Sequence, residues 1–419
     1  MDFGKDFEIE LSDIKVTERQ VAFRTWELEF GGSIESKPAL HEGVLYFGAA
    51  DYNIFAVDAK SGRELWRFRT GGSFVNPSPI IINDVLYIAN YEGYLYAISI
   101  KTRQLLWRFK AGDKCWSTAS HKDGVIYFGS KDENMYAVDA RTGNEIWRFD
   151  TNDFALSTPT HYGNRMYFGS FDGNLYCVDS KTGDEIWRFR TSGNVYNTHE
   201  FPLVNGLIYI DSYDNNVYAI NAETGKEVWR FRTGKGINAT PVYDDGTIYI
   251  GSHDGYFYAI DAETGKEKWR YMSGDRIGSS ACIYKGMVYF GAANGLFFAL
   301  DAKTGNEIWR FKAYYENWGS PLADDNTVYF GSTDCHMYAL DAKTGKEKWA
   351  FVTSTLTISP MRREEREFAA EIIVTRRDYE KMEEERYNFS MPELMINNNY
   401  NPKSEYTFRH EYNPKSEYD

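Results

Sequence analysis

Residues 137–147 read Ala-Val-Asp-Ala-Arg-Thr-Gly-Asn-Glu-Ile-Trp, and this stretch indicates the fold because the chain repeats it. Six further copies keep the same spacing and begin at Ala56, Cys177, Ala219, Ala259, Ala299 and Ala339. An eighth copy, at 97–107, departs from the pattern with Ser99 in place of Asp and Arg103 in place of Gly. So many copies at one period make the chain a repeat array, in which each unit is one small supersecondary structure.

Aromatic residues mark the period of the array. Nine Trp residues are spaced by 40 to 42 positions: Trp26, Trp66, Trp107, Trp147, Trp187, Trp229, Trp269, Trp309 and Trp349. A Tyr lies 20 residues before each Trp from the second onward: Tyr46, Tyr87, Tyr127, Tyr167, Tyr209, Tyr249, Tyr289 and Tyr329. Constant spacing indicates structural positions, so core packing accounts for most of the 17% aromatic content.

Each unit of about 40 residues has the pattern of four short strands. In residues 157–190, two alternating segments flank the turn Asp172-Gly173, whose residue types suit a two-residue hairpin. A second turn precedes a fourth alternating segment, 185–190, and no unit has ten residues of helical periodicity. The fold class predicted for 22–353 is therefore all-β: an eight-bladed β-propeller of four-stranded antiparallel blades.

The repeated stretch resembles the tryptophan-docking motif of propellers related to pyrroloquinoline quinone dehydrogenases. The resemblance implies that each Trp stacks on the neighbouring blade and that the Asp and Thr hold a turn. It implies a fold and not an activity. Dehydrogenases of that family hold a quinone with calcium ligands and a catalytic Asp, and typically carry an adjacent pair of cysteines. Here Cys115, Cys177, Cys282 and Cys335 lie far apart, so we predict no quinone, no other cofactor and no metal.

Charge and hydropathy exclude some partners. Lys and Arg number 47 against 61 Asp and Glu, which gives a formal net charge of −14. An acidic surface repels phosphate backbones, so a nucleic-acid partner is not expected. Uninterrupted apolar stretches are only a few residues long, which predicts no membrane span. The charged N-terminal residues lack the apolar core of an export signal, so we expect a cytoplasmic protein.

The two ends of the chain are predicted to be extensions of the ring. Residues 1–21 form an N-terminal extension, and 354–389 form a charged extension that is either a helix or a degenerate ninth blade. Residues 390–419 are a polar tail in which Tyr-Asn-Pro-Lys-Ser-Glu-Tyr occurs twice, at 400–406 and 412–418. Nine Trp-bearing strands serve eight units, so either the strand around Trp26 or the strand around Trp349 closes the ring.

Candidate site residues lie in the connections between units, where all length differences between repeats fall. Trp116 and Trp318 are the only Trp residues outside the period, and both lie nine positions after a framework Trp. Nearby aromatic and acidic residues complete the predicted site: Phe74, Phe154, Tyr196, Tyr315, Glu200 and Glu316. Such connections crowd the mouth of a propeller channel, where these side chains would either bind a ligand or partner or simply plug the opening.

These observations favour a non-catalytic binding or assembly scaffold that recognises a protein, or a small ligand, at the channel-mouth face. No catalytic residue is assigned. A second hypothesis is an enzyme, a lyase or dehydrogenase, that uses the mouth, with the neighbours His199 and Glu200 as the candidate acid/base pair. A third is a structural subunit that docks through the duplicated C-terminal peptide.

Overall fold

The computed structural model describes residues 32–74 and 76–353, which form eight four-stranded antiparallel sheets with strands in sequence order. Blade 1 is β1–β4 and blade 2 is β5–β8, with strands Ala39–His41, Val44–Gly48, Asn53–Asp58, Glu64–Arg69, Ile80–Ile82, Val85–Ala89, Tyr94–Ser99 and Gln104–Lys110. Blade 3 is β9–β12 and blade 4 is β13–β16, with strands Ser120–Lys122, Val125–Gly129, Asn134–Asp139, Glu145–Asp150, Thr160–Tyr162, Arg165–Gly169, Asn174–Asp179 and Glu185–Arg190.

The other half of the ring repeats this arrangement. Blade 5 is β17–β20 and blade 6 is β21–β24, with strands Leu203–Val204, Leu207–Asp211, Asn216–Asn221, Glu227–Arg232, Val242–Asp244, Thr247–Gly251, Tyr256–Asp261 and Glu267–Met272. Blade 7 is β25–β28 and blade 8 is β29–β32, with strands Cys282–Tyr284, Met287–Gly291, Leu296–Asp301, Glu307–Lys312, Leu322–Asp324, Thr327–Gly331, His336–Asp341 and Glu347–Val352. The predicted eight-bladed propeller is confirmed.

The hydrophobic core is divided into eight clusters, each between two neighbouring blades. The framework Trp of one blade lies on the docking turn of the next. For example, a Cβ atom on Gly225 would come within 2.7 Å of the Trp187 ring, and Gly225 has a φ of +69°. Glycine is required at this turn because it removes a steric clash and adopts the left-handed backbone without strain.

The irregular docking copy at 97–107 keeps the turn of the other blades. Arg103 takes the glycine position with a φ of +59°. Ser99 replaces the missing Asp as the hydrogen-bond acceptor of the turn, because its Oγ accepts a 3.2 Å hydrogen bond from the Thr102 N–H. The turn therefore has the conformation of the other docking turns, although Ser99 is a weaker acceptor than Asp and Arg103 is more strained than Gly.

The strand around Trp349 closes the ring. β32 is the fourth strand of blade 8, and the Trp349 Nε1 donates a 3.1 Å hydrogen bond to the Ala59 carbonyl oxygen of blade 1. The Thr353 hydroxyl also donates to the carbonyl oxygen of Gly32, at 2.6 Å. The predictions for 1–21 and 354–419, and the segment around Trp26, lie outside the described residues.

The connections between blades and the second hairpin turn of each blade lie at the same end of the ring. The Tyr91 N–H in such a turn donates to Ser73 O at 2.8 Å, and the Phe74 N–H donates to Ala49 O at 3.3 Å. We call this end the mouth face. The docking turns and the first hairpin turns lie at the opposite face. Within residues 32–74 and 76–353, no helix has the length and apolar character needed to cross a membrane.

Candidate functional site at the channel mouth

The connection between two blades places successive side chains in different surroundings. The eighth residue after a framework Trp packs on the end of the second strand: a Cβ on Gly251 would lie 2.2 Å from the Ile277 side chain, and Ile277 is fully buried. The ninth residue turns toward the opening. Glu35 and Tyr196 hold this position on opposite sides of the ring, and the charge of Glu35 contributes to a raised Tyr196 pKa. An extended segment alternates its sides in this way.

Trp116 lies at the mouth between an aromatic ring and a cation. It is partly buried and stacks on Tyr91 with ring centroids 5.4 Å apart. The Lys131 Nζ lies 3.8 Å from the Trp116 centroid and 4.8 Å from that of Phe154. The indole is thus held by Tyr91 and Lys131, and its Nε1 is buried without a hydrogen-bond partner among the described residues.

The aromatic arc continues around the opening into blade 5. Phe154 contacts Phe171 at 5.7 Å, and Phe171 contacts Tyr196 edge-on at 5.8 Å. Tyr196 is only 7% exposed, and its raised pKa follows from burial and from the charges of Glu35 and Asp211. The predicted residues Trp116, Phe154 and Tyr196 therefore belong to one continuous surface, joined by Phe171 and Lys131.

Trp318 is held in a second group of side chains. Its Nε1 donates a 2.7 Å hydrogen bond to Glu316 Oε2. Arg276 lies 5.7 Å from the indole centroid, and its Nη2 is 3.9 Å from Glu316 Oε1. His253 contacts the same ring at 6.4 Å. The second predicted Trp is thus oriented by a carboxylate and lies beside a cation.

Two of the predicted aromatic residues lie apart from these groups. Phe74 is fully buried in the cluster between blades 1 and 2, where it fills the space beside Gly48. It lies eight residues after Trp66, at the inward-packing position, so it belongs to the framework and cannot meet a ligand. Tyr315 is 43% exposed and packs edge-on against Tyr314 at 4.7 Å.

Carboxyl groups at the mouth differ in their electrostatic surroundings. Burial and the charge of Glu316 raise the pKa of Glu35 to about 7, and the Ser33 hydroxyl, 3.3 Å from Glu35 Oε1, opposes the rise. Glu35 therefore changes its charge near neutral pH. Glu200 is exposed, yet the surrounding protein raises its pKa as well.

His199 and Glu200 do not form the expected acid/base pair. His199 Nδ1 lies 2.9 Å from Thr198 Oγ1, and burial together with the charge of Lys37 lowers the His199 pKa to about 3. The Asn197 amide also donates to the backbone oxygen of His199. An imidazole of such low basicity, bonded to a threonine, is a poor proton acceptor for the carboxyl beside it.

Several residues of the mouth were not predicted. Tyr91, Lys131 and His253 come from the second hairpin turns of blades 2, 3 and 6, each four residues after a framework Tyr, and their N–H groups donate to the connections. This constant position could have identified them, but the prediction considered only the connections. Asp211 could have been found by comparing repeats, because six other blades have glycine at its position. It is fully buried, and burial raises its pKa well above the usual range. Neither carboxylate oxygen has a hydrogen-bond partner among the described residues.

The residues present do not fit the quinone and calcium site of the dehydrogenases that the repeat resembles. All four cysteines are free, and none is adjacent to another. In the described part of the chain no three His, Cys, Asp or Glu side chains come together as metal ligands.

Together, the docking motifs and the closed ring define a propeller with tryptophan-docking repeats. The chain belongs to the family described as outer membrane protein assembly factor BamB, which matches residues 22–111, 91–197, 172–282 and 276–378. No curated protein sequence is significantly similar to the chain.

Solved structures share the fold at low sequence identity. BamB from Moraxella catarrhalis is 16% identical with a TM-score of 0.62, over 74% of this chain and 95% of that one. The computationally designed protein Ika8 is 17% identical with a TM-score of 0.64, over 78% and 98%. A quinohemoprotein alcohol dehydrogenase from Pseudomonas putida HK5 is 16% identical with a TM-score of 0.60, over 73% and 69%. The likeness includes both an assembly factor and an enzyme, so it supports the fold alone.

Proposed function

We propose that this chain is a non-catalytic binding propeller that recognises a protein partner through its mouth face. The observation that carries the proposal is the position of Trp116 and Trp318. Both are partly exposed at the mouth, outside the docking framework, and both are held by neighbouring side chains. Trp, Tyr and Arg are enriched among residues that dominate protein interfaces. Because these side chains are already fixed, binding costs them little conformational entropy.

The family description supports the same conclusion. Assembly factors act by contacting other proteins, and the mouth offers a rigid surface of mixed aromatic, cationic and acidic groups for such a contact. Arg276 and Glu316 on one side, and Lys131 on the other, can give a partner its orientation through charge.

The experiment is a native pull-down with the tagged full-length protein, followed by mass spectrometry. Trp116→Ala combined with Trp318→Ala should lose the partner while the melting temperature stays close to that of the wild type. Tyr162→Ala is the matched control, because Tyr162 is 61% exposed and ends β13 at the opposite face. Full retention of the partner by the double variant would contradict the proposal.

One observation favours the second candidate, an enzyme that uses the mouth. A carboxyl whose pKa is about 7 can act as a general acid or base at neutral pH, and Glu35 meets this condition. Small molecules extracted from the native protein should be identified and incubated with the wild type and with Glu35→Gln. Conversion by the wild type alone supports an enzyme, whereas recovery of the unchanged compound from both supports binding.

A further inference from the structure

A ring of hydroxyl side chains surrounds the channel below the mouth, just before the innermost strands begin. Seven blades have Ser or Thr at this position: Ser78, Thr118, Thr158, Thr198, Thr240, Ser280 and Ser320. We call them the hydroxyl ring. At blade 1 the position is held by Lys37, two residues before β1. Because the other seven blades have a hydroxyl residue at this position, the repeated framework does not require a lysine there.

Backbone groups of one blade bond to the hydroxyl of the next. The Lys37 N–H donates to Ser78 Oγ at 3.0 Å, and the Thr240 N–H donates to Ser280 Oγ at 2.9 Å. The backbone N–H groups of Ser78, Thr198 and Ser280 donate in the same way. Their acceptors are the hydroxyls of Thr118, Thr240 and Ser320, at 3.0, 3.2 and 3.1 Å. A hydroxyl that accepts a hydrogen bond still has its own proton to donate. Among the described residues, the receiving hydroxyls donate that proton to no acceptor.

Thr158 adds a further free hydroxyl to the ring. It is 2% exposed, and its Oγ1 has no hydrogen-bond partner among the described residues. Such a group is costly to bury unless something bonds to it. The hydroxyl ring is therefore rich in donors that the described protein does not use.

Lys37 adds a positive charge at the position where the other blades have a hydroxyl, and its own N–H bonds to that ring at Ser78. It forms no ion pair with a described carboxylate, and its charge acts on two groups on other sides of the channel. Burial is the main cause of the lowered His199 pKa, and the charge of Lys37 lowers it further. Burial raises the pKa of Cys282, and the charge of Lys37 opposes that rise. Both groups are uncharged at neutral pH, so neither neutralises the ammonium. His199 Nε2 is also without a partner among the described residues.

We propose that the channel binds a small oxyanion, a carboxylate or a phosphate, beside Lys37 and within the hydroxyl ring. The oxyanion would neutralise the ammonium and accept hydrogen bonds from the free hydroxyl protons. Hydrogen bonds between an ion and its partner are stronger than those between neutral groups. This site lies below the mouth, and it does not depend on the proposed protein partner.

Lys37→Thr is the decisive variant, because it gives blade 1 the residue type that the other blades already have and should preserve the fold. Lys181→Thr is the matched control, since it removes an equal charge from an exposed docking turn. Sodium phosphate and sodium acetate should each be titrated into the full-length proteins by calorimetry, against sodium chloride at equal ionic strength. The two titrations distinguish the phosphate from the carboxylate.

The wild type and Lys181→Thr should bind one anion per chain, and Lys37→Thr should bind at least tenfold more weakly. In the wild type, saturation should also raise the His199 pKa measured by NMR, because the bound charge offsets that of Lys37. Equal binding by Lys37→Thr, equal weakening in Lys181→Thr, or no saturable binding of either anion by the wild type would overturn the proposal.

Discussion

The indole Nε1 of Trp349 donates a 3.1 Å hydrogen bond to the carbonyl oxygen of Ala59, 290 residues earlier in the chain. The Tyr329 hydroxyl donates to the same oxygen at 3.2 Å. This contact joins the last described blade to the first by the same docking geometry that joins other neighbouring blades. The ring therefore closes without exchanging a strand between its ends, and closure depends on how well Trp349 packs.

The packing of Trp349 can be tested with two glycines of blade 1. Gly62 and Gly43 have φ values of +71° and +75°, but only at Gly62 would a Cβ meet the Trp349 ring, at 2.7 Å. Gly43→Ala should cost about 1–2 kcal/mol from backbone strain alone. Gly62→Ala should cost about 1–3 kcal/mol more, because the ring must move. Urea unfolding of both variants measures the difference, and equal midpoints would contradict the docking of Trp349 on Gly62.

The hydrogen bonds of the docking Trp residues are not all equal. Trp229 Nε1 donates to Ala262 O at 3.0 Å, whereas Trp187 Nε1 has no partner among the described residues. The corresponding carbonyl, Ala222 O, accepts from Arg165 at 3.2 Å and from Tyr167 at 3.0 Å.

Replacing both indoles by phenyl rings separates the hydrogen bond from the packing. Trp229→Phe should therefore cost about 0.5–1.5 kcal/mol more than Trp187→Phe, the net contribution of one hydrogen bond. Trp187→Ala should cost about 3–5 kcal/mol, as a large truncation in the packed framework. The melting temperatures of the three variants, compared with that of the wild type, rank their losses of stability. A larger loss in Trp187→Phe than in Trp229→Phe would reverse this interpretation.

Glu35 should make stability depend on pH. Its pKa is raised from 4.5 to about 7 in the folded protein, so the folded state binds the proton more tightly than the unfolded state does. Stability is then lost as pH rises from about 4.5 to 7, by up to about 3 kcal/mol. Glu35→Gln should remove this loss, so the variant gains stability over the wild type between pH 5 and pH 8. Urea midpoints that run parallel across this range would show that Glu35 is not perturbed.

Asp211 should be more costly to the fold than the glycine of other blades. Its carboxylate oxygens are buried without partners among the described residues, and burial raises its pKa well above the usual range. Asp211→Gly removes the cost of burying the carboxyl, about 1–3 kcal/mol. The new glycine makes the unfolded chain more flexible, which destabilises the folded state by about 0.5–1 kcal/mol. We expect a higher melting temperature at pH 8, with a smaller gain at pH 4. A lower melting temperature at pH 8 would assign the carboxyl a stabilising role.

The fold could be predicted from sequence because its determinants are local and repeated. Each Trp carries its docking turn at a fixed spacing, so the pattern of one blade specifies the others. Even the irregular turn adopts the common conformation, because Ser99 still accepts the N–H groups of Thr102 and Arg103. The sequence did not decide which strand closes the ring, since the segments around Trp26 and Trp349 both have the outer-strand pattern.

The site could be predicted only in part. Repeat comparison identified Trp116 and Trp318 as additions to the framework, but it grouped Phe74 with Phe154. Phe74 is the eighth residue after its framework Trp, whereas Phe154 is the seventh. Successive side chains of an extended segment point to opposite sides, so this shift of one position places Phe74 in the core and Phe154 at the surface.

The repeated pattern was enough to predict a ring of eight docked blades and the position in every repeat where departures occur. The folded chain was needed to show that the Lys131 ammonium lies over the Trp116 ring and that the charge of Lys37 lowers the pKa of His199. The Lys131 contact forms because the second hairpin turn of blade 3 bonds back to the connection that carries Trp116, with the Lys131 N–H donating to Lys114 O at 2.8 Å. The Lys37 effect depends on ring closure, because blades 1 and 5 are far apart in the sequence and share one channel.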